Sequence, residues 1–282
     1  FYLKKSSIIK TLQTWTISLL WIFFLLTLGF LGCHKSMNVM HYPSMMSNSI
    51  PQILNEAYLG DMRLPNQTTT EIRNQGSTVI FHFPAGVYLV GKDTVNGQLK
   101  MLTEADYTCT GACKQGCDVF YINKHFGCSQ CEPSTISCTG HSNTLSGLQG
   151  YGFVDLKQGV HFLIHKDQVN QLFSPPDNLF DIPEVRKGME IFNIQNYGVA
   201  HPDFSNPDEY QEVAVNLFGC LVGYLIPKTG ELRQQVSINQ LVRVSSFSCH
   251  CDQGDSGCTP VSGLGFKMCK KSSCLSCTMH VE

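Results

Sequence analysis

The chain has 282 residues, is 43% hydrophobic and carries 20 basic against 22 acidic side chains, a formal net charge of −2. That apolar content is enough to bury a sizeable core, which excludes a chain disordered throughout. Lys4, Lys5 and Lys10 all precede Cys33, so the portion from Cys33 onward holds 17 basic against 22 acidic side chains, and this excludes a non-specific nucleic-acid binder.

No charged residue lies between Lys10 and His34, and the run TISLLWIFFLLTLGFLG (Thr16 to Gly32) is almost wholly apolar. Lysines ahead of such a run mark an apolar helix that exports or anchors the chain, with everything after it delivered outside the cytoplasm. The run ends in Phe30-Leu31-Gly32-Cys33, which resembles the lipobox of bacterial lipoproteins. The resemblance implies that Cys33 is lipidated and becomes the mature N-terminus. Residues 1–33 are therefore read as a signal peptide or membrane anchor, with the membrane as a partner. An uncleaved signal anchor stays open beside this, because about 20 apolar residues span a bilayer, and so does ordinary secretion.

Residues 34–75 open on HKSMNVMHYPSMMSNSIPQ, which is rich in Met, Ser and Asn and has neither helical nor strand period, so a tether is expected. Asn66-Gln67-Thr68 within it is a glycosylation acceptor only in a eukaryotic source.

A first β module is expected over 76–140. GSTVIFHFPAGVYLVG reads as two strands broken at Pro84-Ala85-Gly86, and VNGQLKML returns after an Asn96-Gly97 turn. Six cysteines follow: Cys109, Cys113, Cys117, Cys128, Cys131 and Cys138.

Residues 141–212 read as a loop-rich insert. One strand is expected around Val160 to Ile164, then a short helix from near Asp167, and then mostly loop among Pro175, Pro176, Pro183, Pro202 and Pro207. Long loops in an extracellular protein are often binding surface. His161 and His165 fall on one side of a strand and invite a two-histidine metal site. The plainer reading, preferred here, makes them the polar face opposite Val160, Phe162 and Ile164.

A second module is expected over 213–282. EVAVNLFGCLVGYLIPKTGELRQQVSI suggests a strand pair about a Lys228-Thr229-Gly230 turn, with Cys220 a small buried core residue. Six more cysteines follow: Cys249, Cys251, Cys258, Cys269, Cys274 and Cys277.

The two modules can be overlaid. Tyr88-Leu89-Val90 falls on Tyr224-Leu225-Ile226, Gly97 on Gly230, and Gly116-Cys117 on Gly257-Cys258; ten residues separate Cys117 from Cys128, and ten separate Cys258 from Cys269. Matching the Cys-x-x-Cys pairs Cys128/Cys131 and Cys274/Cys277 equates Cys131 with Cys277, while Cys109 and Cys113 correspond to Cys249 and Cys251. A repeat of this kind predicts one module built twice.

Two even sets of six beyond an export segment point to disulfides. Zinc is the alternative, through Cys109, Cys113, Cys128 and Cys131, although the Cys249-x-Cys251 spacing in the second set is too tight for an ordinary knuckle. Ferredoxin and c-type haem spacings are absent. The stretch CDQGDSGC (Cys251 to Cys258) contains the GDSG found around the nucleophile of trypsin-like proteases. Ser256 has no matching histidine context: His125 in KHFGC sits inside a cysteine cluster, and only 26 residues follow Ser256. Asp252 and Asp255 lack EF-hand spacing and read as turn carboxylates. The chain is expected to be mainly β with disulfide-rich loops, two related strand-plus-cysteine modules flanking an irregular insert. The function expected is a membrane-anchored, extracytoplasmic binding or structural protein with no catalytic residue and no cofactor, whose partner is an envelope protein or ligand. A metal-binding or electron-transfer protein and an envelope hydrolase are the alternatives.

Overall fold

A computed structural model describes residues 50–113, 116–129, 137–163, 166–229, 232, 243–244, 247–251, 257–272, 274 and 277–281. The export segment, Cys33 and the first part of the expected tether lie outside them, as do Cys131, His165, Asp252, Asp255 and Ser256. Among the described residues no helix is long and apolar enough to cross a membrane.

The chain is mainly β, as its alternating and β-branched runs predict. In order come β1 (Ile53–Leu54), β2 (Tyr58–Leu59), β3 (Met62–Arg63), β4 (Thr68–Arg73), β5 (Thr78–His82), β6 (Val87–Asp93), β7 (Leu99–Leu102), β8 (Glu104–Thr110), β9 (Val119–Ile122), β10 (His125–Cys128) and β11 (Thr139–His141). A one-turn helix α1 (Asn143–Ser146) leads to β12 (Leu148–Asp155) and β13 (Val160–Phe162), and α2 (Pro183–Tyr197) precedes β14 (Tyr210–Leu217) and β15 (Cys220–Pro227). The last strands are β16 (Arg243–Val244), β17 (Phe247–Cys251), β18 (Cys258–Gly263), β19 (Phe266–Lys271) and β20 (Cys277–Val281).

The described residues form five sheets; β3-β2-β10-β9 and β17-β20 belong to the cysteine-rich ends, and the other three build the body. One runs β1-β4-β5-β8-β11, one β12-β6-β7, and one β13-β14-β15-β19-β18 with β16 also on β14. The middle sheet is buried on both faces. Leu89 and Phe153, directly paired, face a first core with Leu54, Val79, Phe81 and Ala105; Val90 and Val154 face a second with Val213, Val215, Tyr224 and Phe266. Strand alternation explains how neighbours such as Leu89 and Val90 serve different cores. Because β12, from the expected insert, supplies this shared layer, the insert and the two modules are not separate bodies.

Two further expectations are corrected. Residues 53–73, read as tether, form β1 to β4 and bury Leu54, Ala57, Leu59 and Leu64. Three of these strands are two residues long, too short to show a period. The insert is also less irregular than its prolines suggest, since it holds the fifteen-residue helix α2. Pro183 stands in the first turn, where its missing N–H costs nothing. Gly198, at φ 82°, closes the helix by donating its N–H to the Ile194 carbonyl. Val185, Met189, Phe192, Asn193 and Asn196 form its buried face. The helix expected from near Asp167 is a 3-10 segment, Lys166–Gln171.

The run expected to be the first strand of the second pair is itself a hairpin: β14 and β15 are joined at Phe218-Gly219, with φ of 49° and 82°, while Gly230 and nearly all of the strand expected after it lie outside the described residues. The apolar run around Cys220 is thus two antiparallel strands back to back. Phe218 is held in this unusual conformation because its ring is buried against Gly188, where a Cβ would overlap it.

Candidate functional site

Both cysteine clusters fold around the same frame. In each, a first strand bears the first cysteine, a two-residue hairpin follows, and a last strand returns antiparallel onto the first. Cys109 faces Gly140, two residues after Cys138, and Cys249 faces Met279, two residues after Cys277. Cys128 faces Val119, two after Cys117, and Cys269 faces Pro260, two after Cys258. The hairpin turns, Asn123-Lys124 and Leu264-Gly265, both have positive φ at both residues, as type I′ turns require. Both tips dock alike: Tyr58 N–H donates to the Lys124 carbonyl at 2.8 Å, and Leu225 N–H to the Gly265 carbonyl at 3.0 Å.

The bridges follow the same rank order. Cys109–Cys128 and Cys249–Cys269 join the first cysteine to the fourth; Cys117–Cys138 and Cys258–Cys277 join the third to the sixth. Cys251–Cys274 completes the second cluster, and Cys113 is disulfide-bonded as well. By rank Cys277 corresponds to Cys138, not to Cys131, so the two Cys-x-x-Cys pairs are not equivalent. The overlay of Tyr88 to Val90 on Tyr224 to Ile226 also fails: β6 pairs with β7 and β12, whereas β15 pairs with β14 and β19. The likeness begins at the first cysteine.

Sulfurs of Cys113, Cys117 and Cys138 lie within 4.8 Å of one another, as do those of Cys249, Cys258 and Cys269. Each triple contains two cysteines that are bonded to each other, Cys117 with Cys138 and Cys249 with Cys269. A thiolate ligand set of this composition therefore exists only in reduced protein. The described cysteine without a bridge is Cys220. It is fully buried, its Sγ lies 3.2 Å from the Phe153 carbonyl, and burial pushes its thiol pKa well up, so it behaves as a core residue.

A cleft of about 640 Å³ opens between the β3–β4 loop, the 3-10 segment before Phe173, and the β14–β15 turn. Its floor is organised by backbone. Phe173 N–H donates to the Gly219 carbonyl at 2.7 Å and Asp155 N–H to the Phe218 carbonyl at 2.8 Å. Asn216, buried, accepts from Gly219 N–H at 2.7 Å, and its Nδ2 lies 3.5 Å from Gln158 Oε1. Arg63 Nη1 donates to the Asn170 carbonyl at 3.0 Å, tying one rim to the other. His161, opposite Asn216 in the β13–β14 register, is exposed on this cleft. Its expected companion His165 lies outside the described residues. His125 is not near any of this: it stacks on Tyr58 with ring centroids 5.1 Å apart.

The cleft was not anticipated from sequence. Its lining comes from five separated stretches, near residues 63–67, 84–87, 155–163, 168–173 and 216–219. Only Gln168 and Gln171, three apart, offered any local pattern. No known protein family, curated protein or solved structure matches this chain.

Proposed function

We propose that the chain is a cell-envelope protein, held at the membrane by residues 1–33 with its body outside the cytoplasm, and that it works by binding a ligand or envelope partner rather than by chemistry of its own. The observation that carries this reading is the cleft, preformed where several segments meet and held by backbone hydrogen bonds, with a volume of about 640 Å³ in the range of small-ligand sites. The compartment is supported by the disulfides, which persist in an oxidising environment, and by the apolar run that leads there.

Two measurements test it. Fractionation of cells producing the full chain is expected to give carbonate-resistant membrane association, with Cys33→Ser left unprocessed; a wholly soluble mature protein overturns the anchor. Equilibrium dialysis of the detergent-solubilised full chain against a soluble cell-envelope digest is expected to concentrate a component, and less of it when Gln158 and Gln171 are both replaced by Ala. No enrichment overturns the binding reading.

The sulfur triples favour a second reading, zinc held by the reduced clusters. Its test is stoichiometric zinc uptake after reduction, with none by the oxidised chain; no uptake in either state removes it.

A further inference from the structure

We infer that the cleft takes a short, neutral oligosaccharide. The inference rests on the binding reading above and adds the chemical class of the ligand. Six of the eighteen lining residues are carboxamides: Asn66, Gln67, Gln158, Gln168, Gln171 and Asn216. Asn and Gln together make 15 + 17 = 32 of the 282 residues, so the cleft holds them at about three times their share of the chain. A carboxamide both donates and accepts from one planar group without charge. Neighbouring hydroxyls on a sugar ring ask for that combination, because each also donates and accepts.

The charges on the lining point the same way. Its ionised groups are one guanidinium, Arg63, and one carboxylate, Asp155, with His161 beside them. Arg63 is directed onto the Asn170 carbonyl, and Asp155 accepts the Lys157 N–H at 3.0 Å. The two fixed charges balance, so neither an anionic nor a cationic ligand meets a surplus of the opposite sign. Half-buried Phe173 supplies apolar ring surface beside the amides, matching the mixed C–H and O–H surface of a pyranose.

A peptide is the rival occupant, since β13 is an edge strand on this cleft. Strand addition draws its affinity from a row of main-chain hydrogen bonds. Leu163 N–H is directed at the Ala214 carbonyl, so alternation turns only Val160 and Phe162 of this three-residue strand toward the open edge. Among the described residues this edge offers two outward residues, a short template, whereas the carboxamides surround the space.

The test is isothermal titration of the full chain in nanodiscs with cellotetraose, mannotetraose and chitotetraose as neutral probes, tetragalacturonate as an anionic one, the de-acetylated chitotetraose as a cationic one, and a blocked tetra-alanine as the peptide. At least one neutral oligosaccharide is expected to bind, and Gln158→Ala with Gln171→Ala to weaken it roughly tenfold or more, as loss of two or more hydrogen bonds predicts. Both residues are exposed, and an unchanged unfolding midpoint shows that the fold is intact. Val95→Ser, at an exposed position outside the cleft, is expected to change nothing. Binding of a charged saccharide or the peptide in preference to every neutral saccharide overturns the inference and leaves the binding reading standing. So does failure of all six probes while the digest component is still enriched. Failure of both overturns the two together, and neutral-sugar binding indifferent to the double variant removes it from this cleft.

Discussion

The Tyr107 ring lies across the backbone of Gly140, so close that a Cβ there would overlap the phenol hydroxyl. Gly140 is the residue opposite Cys109 in the β8–β11 ladder, so this contact seats the returning strand of the first cysteine module. Gly140→Ala must push either the ring or the strand aside and is expected to cost about 1–3 kcal/mol in denaturant unfolding of the oxidised protein. Gly147→Ala is the control: its backbone is right-handed helical and its nearest neighbour, the Asn143 carbonyl oxygen, would be an ordinary 3.4 Å away. It is expected to stay within about 0.5 kcal/mol.

Peptide mapping of the unreduced protein is expected to recover Cys109–Cys128, Cys117–Cys138, Cys249–Cys269, Cys251–Cys274 and Cys258–Cys277 as joined peptides. Cys131 is the remaining cysteine of the first cluster, and the map should find it joined to Cys113. Alkylation under native conditions should spare Cys220, buried and with its thiol pKa raised, and label it once the unreduced chain is denatured. A bridge running between the clusters would break the shared pairing order.

Acid should reveal Glu71. Hydrogen bonds from Arg73 and His82 hold its carboxyl pKa down at about 2, against a usual value of about 4.3. A depressed carboxyl contributes stability that is present above the unfolded pKa and is lost as pH falls through the folded one. Wild type should therefore exceed Glu71→Gln in urea midpoint at pH 6, and the gap should close between about pH 4.5 and about pH 2. A gap that stays constant over that range would contradict the ion-pair assignment.

Asp106 is a structural carboxylate of a different kind. Burial works to raise its pKa, but the hydrogen bonds it receives from Thr144 and Asn143 outweigh this and hold it low. It accepts from both backbone N–H groups at the start of α1, at 2.8 Å from Thr144 and 3.2 Å from Asn143, and from the Thr144 hydroxyl at 2.6 Å. Asp106→Ala leaves those donors without their acceptor and is expected to cost about 1–2 kcal/mol at pH 7. The loss should shrink as acid protonates the wild-type carboxyl.

The β5, β6 and β7 strands were legible because alternation, a Pro84 break and an Asn96-Gly97 turn all agree there. The ten-residue gap before Cys128 and Cys269 also carried real information, since it fixes a hairpin of one length and one turn type in both modules. What misled was the Cys-x-x-Cys pattern, a local spacing that says nothing of which sulfur meets which across a strand pair. The Phe218-Gly219 turn was hidden because its first residue is held in the left-handed region by burial of its ring, a tertiary cause with no local signal. The cleft was illegible for a like reason: its carboxamides are distant in sequence, and individually Asn and Gln are ordinary surface residues.

The staggered pairing order makes each cysteine module hard to cut apart. Bridges from first to fourth and from third to sixth overlap, so every peptide bond between Cys109 and Cys138, and between Cys249 and Cys277, is spanned by at least one of them. A protease that clips any loop inside either module leaves a nicked but covalently continuous molecule, with the hairpin still joined to its neighbours. A single nick in either module therefore releases no fragment until its bridges are reduced.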